Sequence, residues 1–187
     1  VLIKKVITIG QHKIAYLMYN AFIANYNKEL NEAFAEFKAA GATDLVLDLR
    51  YNGGGSIDTA VYLASMIAGQ HQGQLFVKEK WNTKMQAAAN LQGATVQYLT
   101  DKMKDGTPIH SLQLSKLYVL TTERTASASE LVINGLKPYM PITQIGQTTV
   151  GKNQGSITIY DYIDKAGKVR NPKHKWAMQP IVLSIEN

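Results

Sequence analysis

Cysteine is missing from this 187-residue chain, and only three of its 20 basic residues are arginines, Arg50, Arg124 and Arg170. Without cysteine there are no disulfides, no thiolate nucleophile and no thiolate metal ligands. The four histidines, His12, His71, His110 and His174, show no H-x-x-x-H spacing. They sit in polar, loop-like stretches, none with an Asp or Glu in an obvious orienting position, so neither a metal site nor a Ser-His-Asp triad is expected. Scarce arginine and scattered lysine weigh against a nucleic-acid surface, despite a net charge of +6, because such surfaces cluster basic residues and lean on arginine for bidentate contacts. No run reaches the roughly 20 apolar residues of a membrane span, and no secretory leader pattern opens the chain. The start at Val1 is what a mature fragment would give.

What is present is an ordinary globular composition, 45% hydrophobic and 18% charged, and the length suits a single domain over residues 1–187. Apolar spacing predicts a strand at 14–19, a helix at 28–40 ending at Gly41, and a buried strand at 44–49 running into Asn52-Gly53-Gly54-Gly55. A helix at 59–68 follows. Periodicity fades over residues 72–111, which read as an insertion or cover with one short helix at 84–91. It returns as a strand at 116–121, a helix from Ser127 through Leu136, and a strand at 142–145. Alternating strands are expected at 157–160 and 181–185 around a hairpin-like turn at 164–168. Repeated strand-then-helix order is the signature of an α/β layer fold.

Three motifs bear on chemistry. Ser127-Ala128-Ser129-Glu130 fits the capping box S-x-x-E, and a helix start also offers unpaired N–H groups to a developing oxyanion. The run Gly146 to Asn153 nearly matches G-x-x-x-x-G-K-[ST] but has Asn153 in the last place, and the β-branched residues after it predict a strand where a phosphate loop would open a helix. Asn52-Gly53-Gly54-Gly55 lacks the spacing of a dinucleotide site, since Asp58 stands where a glycine is needed. Its bare backbone suits close approach to a reacting carbonyl instead. Asp44, Asp48 and Asp58 read as strand-end, ion-pair and helix-start residues, with Asp48 paired to Arg50 beneath the glycine turn. Ser127 is thus a candidate nucleophile, and Lys152, 25 positions later, a candidate base. A lysine serves in that role only when burial or a cationic neighbour brings it toward neutrality. Flanking glycines and Val150 suggest such burial for Lys152.

In one order, Asp48-Leu49-Arg50-Tyr51-Asn52-Gly53-Gly54-Gly55, Thr125-Ala126-Ser127-Ala128-Ser129-Glu130 and Gly146-Gln147-Thr148-Thr149-Val150-Gly151-Lys152 resemble the carboxyl-terminal processing (tail-specific) serine peptidases. The opening Ile14-Ala15-Tyr16-Leu17 is similar to that family's Gly-Tyr-Ile strand. The resemblance implies a crotonase-like (ClpP-like) core of βα units with a terminal β-hairpin region. It places Ser127 on the nucleophile, Lys152 on the general base, and the backbone N–H groups of Ala128 and of Gly55 or Gly54 on the oxyanion hole. The family often carries a glutamine four residues beyond the lysine to orient it. Here that position is Ser156, with Gln154 nearby, so both are orienting candidates. The PDZ domain that usually precedes the core lies outside this sequence. The expected partner is a polypeptide with an unfolded C-terminal tail, cleaved without a cofactor in a bacterial cell envelope. Retinoid-binding relatives keep the fold without catalysis, so a peptide- or small-molecule-binding module is the alternative.

Overall fold

In the computed structural model, which describes residues 1–93, 95–164 and 166–186, the apolar strand β3 (Asp44–Asp48) lies at the centre of a five-stranded sheet. The order is β1 (Leu2–Ile9), β2 (His12–Tyr19), β3, β6 (Leu117–Thr121), β7 (Ile142–Gly146). β1 and β2 form an antiparallel hairpin, and every later pairing in this sheet is parallel. Parallel neighbours need crossovers. These include α1 (Asn27–Ala39), α2 (Ile57–Ile67) and α4 (Ala128–Leu136). One face of the sheet, with Ala15, Leu17, Leu45, Leu47, Leu117 and Val119, is fully buried in the same core as Leu30, Phe34, Leu63 and Val132 of those helices. The expected βα order is therefore present as a mixed α/β arrangement.

Residues 72–111 are more than a cover. They supply β4 (Leu75–Trp81), the short α3 (Gln86–Leu91) and β5 (Val96–Tyr98). β4 and β5 join β8 (Gln154–Ser156) and β11 (Ile181–Glu186) in a second, antiparallel sheet ordered β5-β4-β11-β8. The anticipated pairing of 157–160 with 181–185 is not made. Instead β9 (Ile159–Tyr160) pairs with β10 (Ala177–Met178), and β8 takes the place beside β11. Gly155 is the reason β8 fits there, since a Cβ at this position would lie 2.7 Å from a methyl of Leu183. The expected turn at 164–168 includes Lys165, which lies outside the described residues. On either side of it the Asp164 carboxylate accepts from the N–H groups of Lys168 and Val169.

Candidate active site

Three segments far apart in sequence meet at the C-terminal ends of the parallel strands, where open α/β sheets place their ligands. The first is the glycine turn after β3. Asn52 is fully buried and holds this turn from both sides: its amide donates to Tyr19 O (2.8 Å), its Oδ1 accepts from Gly54 N–H (2.9 Å), and its carbonyl accepts from Ala126 N–H and Ser129 Oγ. Thr125 Oγ1 donates to Leu49 O at 2.8 Å, and Thr122 Oγ1 donates to Arg50 O. The glycine turn and the Ser127 loop are thereby one stitched unit. Their approach is close, since a Cβ on Gly54 would lie 2.7 Å from Ser127 Cβ.

Beneath the turn, Asp48 is fully buried and Arg50 embraces it, Nε at 2.9 Å and Nη2 at 2.7 Å, while Tyr16 donates to the same carboxylate at 2.6 Å. Burial alone would raise the Asp48 carboxyl, but the bonds from Arg50 and Tyr16 outweigh it and hold Asp48 below the usual carboxylate range. The anticipated ion pair is in place.

The second segment carries Ser127. It stands at the N-cap of α4 with φ 58° and ψ −116°, one of two non-glycine residues with positive φ among those described. A non-glycine residue held there costs of order 1–3 kcal/mol and persists only where the surroundings enforce it. Glu130 is part of that enforcement. Its buried carboxylate accepts from Ser127 N–H (2.8 Å), Gly151 N–H (2.5 Å) and Lys152 N–H (2.8 Å). The glutamate of the capping box thus joins the Ser127 loop to the Lys152 turn. Sequence reasoning treated it only as a cap.

The third segment is the turn after β7, fixed further by Val150 N–H to Thr125 O (3.0 Å). Lys152 lines the same cavity of about 570 Å³ as Ser127, Ala128 and Gly55, but it is exposed and Val150 is 57% exposed, contrary to the burial expected of this turn. The turn lies at the surface because its backbone is anchored through Glu130 rather than through its own side chains. Among the described residues no hydrogen bond links Ser127 Oγ to Lys152 Nζ. Ser156 and Gln154 also line the cavity, two apart on β8 and so on one face. What positions the lysine backbone, however, is Glu130.

The possible oxyanion donors separate cleanly. Gly54 N–H is engaged by Asn52, whereas among the described residues neither Gly55 N–H nor Ala128 N–H has a protein acceptor. Gly55 is also bridged on its other side, where Phe22 N–H donates to Gly54 O and Ser56 N–H donates to Phe22 O. Histidine needs a correction. His174 Nδ1 lies 2.5 Å from Asp161 Oδ2 and His12 Nδ1 lies 3.9 Å from Asp44 Oδ2, so two of the four do face a carboxylate. Neither lines the cavity with Ser127.

This geometry can be compared with known proteins. The family model for peptidase family S41 matches residues 13–178. The chain belongs to peptidase family S41. Among curated S41 relatives, a carboxyl-terminal-processing protease of Synechocystis sp. is 27% identical over 168 residues, covering 86% of this chain and 34% of the relative. A chloroplastic C-terminal processing peptidase of Tetradesmus obliquus is 32% identical over 159 residues, covering 84% and 30%. The chain thus spans about a third of the length of these relatives. The crystal structure of an S41 protease from Bacteroides fragilis superposes with a TM-score of 0.82 at 32% identity, over 98% of this chain and 45% of the other. A photosystem II D1 C-terminal processing protease shares the fold, with a TM-score of 0.65 at 20% identity, over 99% of this chain and 43% of the other.

Proposed function

We propose that this S41 chain is the catalytic core of a serine endopeptidase that cleaves polypeptides near their C-termini through Ser127 and Lys152. The observation that carries the reading is the shared cavity, in which Ser127, Lys152 and two unengaged N–H groups, of Gly55 and Ala128, converge. In the mechanism, uncharged Lys152 takes the proton from Ser127 Oγ as that oxygen attacks the scissile carbonyl. The carbonyl oxygen gathers negative charge facing Gly55 N–H and Ala128 N–H. As the C–N bond breaks, Lys152 returns the proton to the leaving amine, leaving an ester on Ser127. Lys152 then deprotonates a water that attacks the ester carbonyl, and passes that proton to Ser127 Oγ as the C–O bond breaks and the carboxylic product leaves. Because Lys152 is exposed in the free protein, the polypeptide itself must complete its surroundings, covering the cavity and drawing the amine onto Ser127. Such tightening on binding is common in catalytic hydrogen bonds.

The substrate would run as an extended strand. Phe22 already occupies one side of the glycine turn, so the free edge of β8, beside Lys152, is the better place for an added strand. The two-sheet arrangement is compatible with the crotonase-like core inferred from the motifs. C-terminal cleavage rests on the names of the relatives, and an envelope location rests on the bacterial ones, with the Tetradesmus relative being chloroplastic. The test is a fluorophosphonate probe together with a disordered peptide substrate. The expected result is covalent labelling at Ser127 and hydrolysis, both lost in Ser127→Ala. Hydrolysis undiminished in the alanine variant would remove Ser127 from the mechanism.

A further inference from the structure

We propose that the cavity beside Ser127 takes a cationic side chain, lysine or arginine, from one of the two residues flanking the scissile bond, with Glu79 as its charge partner. The inference rests on the peptidase reading and names the substrate class of that site.

Its basis is the wall contributed by β4 and β11. The register pairs Trp81 with Leu183 and Glu79 with Ile185, and alternation puts all four on one face of the sheet, lining the cavity. Trp81, Leu183 and Ile185 give apolar surface for a methylene stem, and Glu79 gives the head group an acceptor. Long cationic side chains divide themselves in this way. Glu79 is 6% exposed, its backbone N–H donates to Thr95 O at 2.8 Å, and its Oε1 accepts from Gln97 at 2.9 Å. The carboxylate is therefore aimed and fixed, with lone pairs to spare.

Charge on the rest of the lining strengthens the case. Asp58 is matched by Lys104 at 2.6 Å, whereas among the described residues Glu79 has no ion-pair partner. Burial raises the Glu79 carboxyl above its usual range, only partly offset by the bonds from Gln97 and Trp81 and by the charge of Lys104. Lys104 acts on Glu79 only from a distance, its ammonium being paired with Asp58, so the buried acid is still costly to ionise, and an ammonium or guanidinium in direct contact lowers that cost. An apolar side chain would instead seal the carboxylate away from water unpaired, which disfavours it.

The test compares peptides carrying lysine, arginine, norleucine or leucine at each position flanking the cleaved bond. Norleucine keeps the lysine stem and lacks only the ammonium. At one flanking position the wild-type chain is expected to turn over lysine or arginine at least about tenfold faster, in kcat/KM, than norleucine. Glu79→Gln should bring that ratio near one, while Glu79→Asp keeps its direction. Thermal unfolding of each variant is measured alongside. Affinity for the same peptides is read in parallel by fluorescence anisotropy on Ser127→Ala. Preference for norleucine at both positions, or a ratio unchanged in Glu79→Gln, overturns the inference while Ser127-dependent cleavage upholds the peptidase reading. If no Ser127-dependent cleavage occurs, the peptidase reading falls. The anisotropy arm then decides the pocket alone, lysine binding above norleucine upholding its chemistry and the reverse refuting it.

Discussion

Ser127 is held chiefly through its backbone: its N–H goes to Glu130, its carbonyl accepts from Leu131, and the preceding Ala126 N–H goes to Asn52, while the hydroxyl contributes only the capping-box contact with the Glu130 backbone. Removing the oxygen should therefore abolish hydrolysis at a stability cost of about 1 kcal/mol or less, read by thermal melt and peptide assay. Glu130→Gln is expected to do the opposite kind of damage. One amide oxygen cannot replace two carboxylate oxygens receiving three N–H groups, so about 1–3 kcal/mol of stability is lost. As the lysine turn shifts, kcat should fall at least about tenfold, with KM less affected. Lys152→Arg should be inactive, because guanidinium stays charged. The motif S-x-x-E made Ser127 and Glu130 visible in the sequence. The positive φ of Ser127 was not visible, because distant partners impose it. Gly55 has a similar history. It reads as an oxyanion glycine, but a Cβ there would sit 2.2 Å from Phe22 O at φ +142°. Gly55→Val would thus disrupt the fold as well as the donor, whereas Gly53, with no atom within 4 Å of an added Cβ, should accept alanine within about 0.5 kcal/mol.

Elements announced themselves where one face is apolar. β2, β3, β6 and helices α1, α2 and α4 carry the buried residues that their spacing predicts. β4 did not, because Phe76-Val77-Lys78-Glu79-Lys80 hides a buried glutamate in a charged stretch, and its partner β11 lies about a hundred residues further on. Reading 157–160 as the partner of 181–185 failed for a related reason: only Ile159 and Tyr160 form a strand there, and the place beside β11 goes to β8, whose Gly155 weakens a strand in isolation yet fits tightly under Leu183. Packing also overrides propensity on α4. Gly135 would gain about 1 kcal/mol of helix propensity as alanine, but the new methyl would lie 2.4 Å from the Phe76 ring. Overpacking costs about 1–3 kcal/mol. Gly135→Ala is therefore expected to lower stability in urea melts, and an unchanged midpoint would mean that Phe76 moves freely.

For the molecule as a whole, the stitched unit of glycine turn and Ser127 loop ties stability to acid. Asp48 sits below its usual range when folded, so its contribution is fully present above the unfolded value near pH 4 and is lost as pH falls through the folded one. Melts from pH 7 down to 2.5 should show falling stability below about pH 4, with a shallower acid limb in Asp48→Asn. The mixed α/β architecture and the candidate dyad were legible in the sequence, but the second sheet was not, because its central pairing, β4 with β11, joins segments from opposite parts of the chain.

That late pairing has a bearing on how the protein is made. Leu183 and Ile185 belong to β11, the strand that closes the cavity wall against β4. While the ribosome is still adding residues, at roughly 5–20 per second, a nascent chain that has reached residue 180 already contains Ser127 and Lys152 but has no such wall. On the proposed reading, cleavage would begin only once synthesis has passed this strand, since a chain stopped before it lacks the β11 side of its cavity.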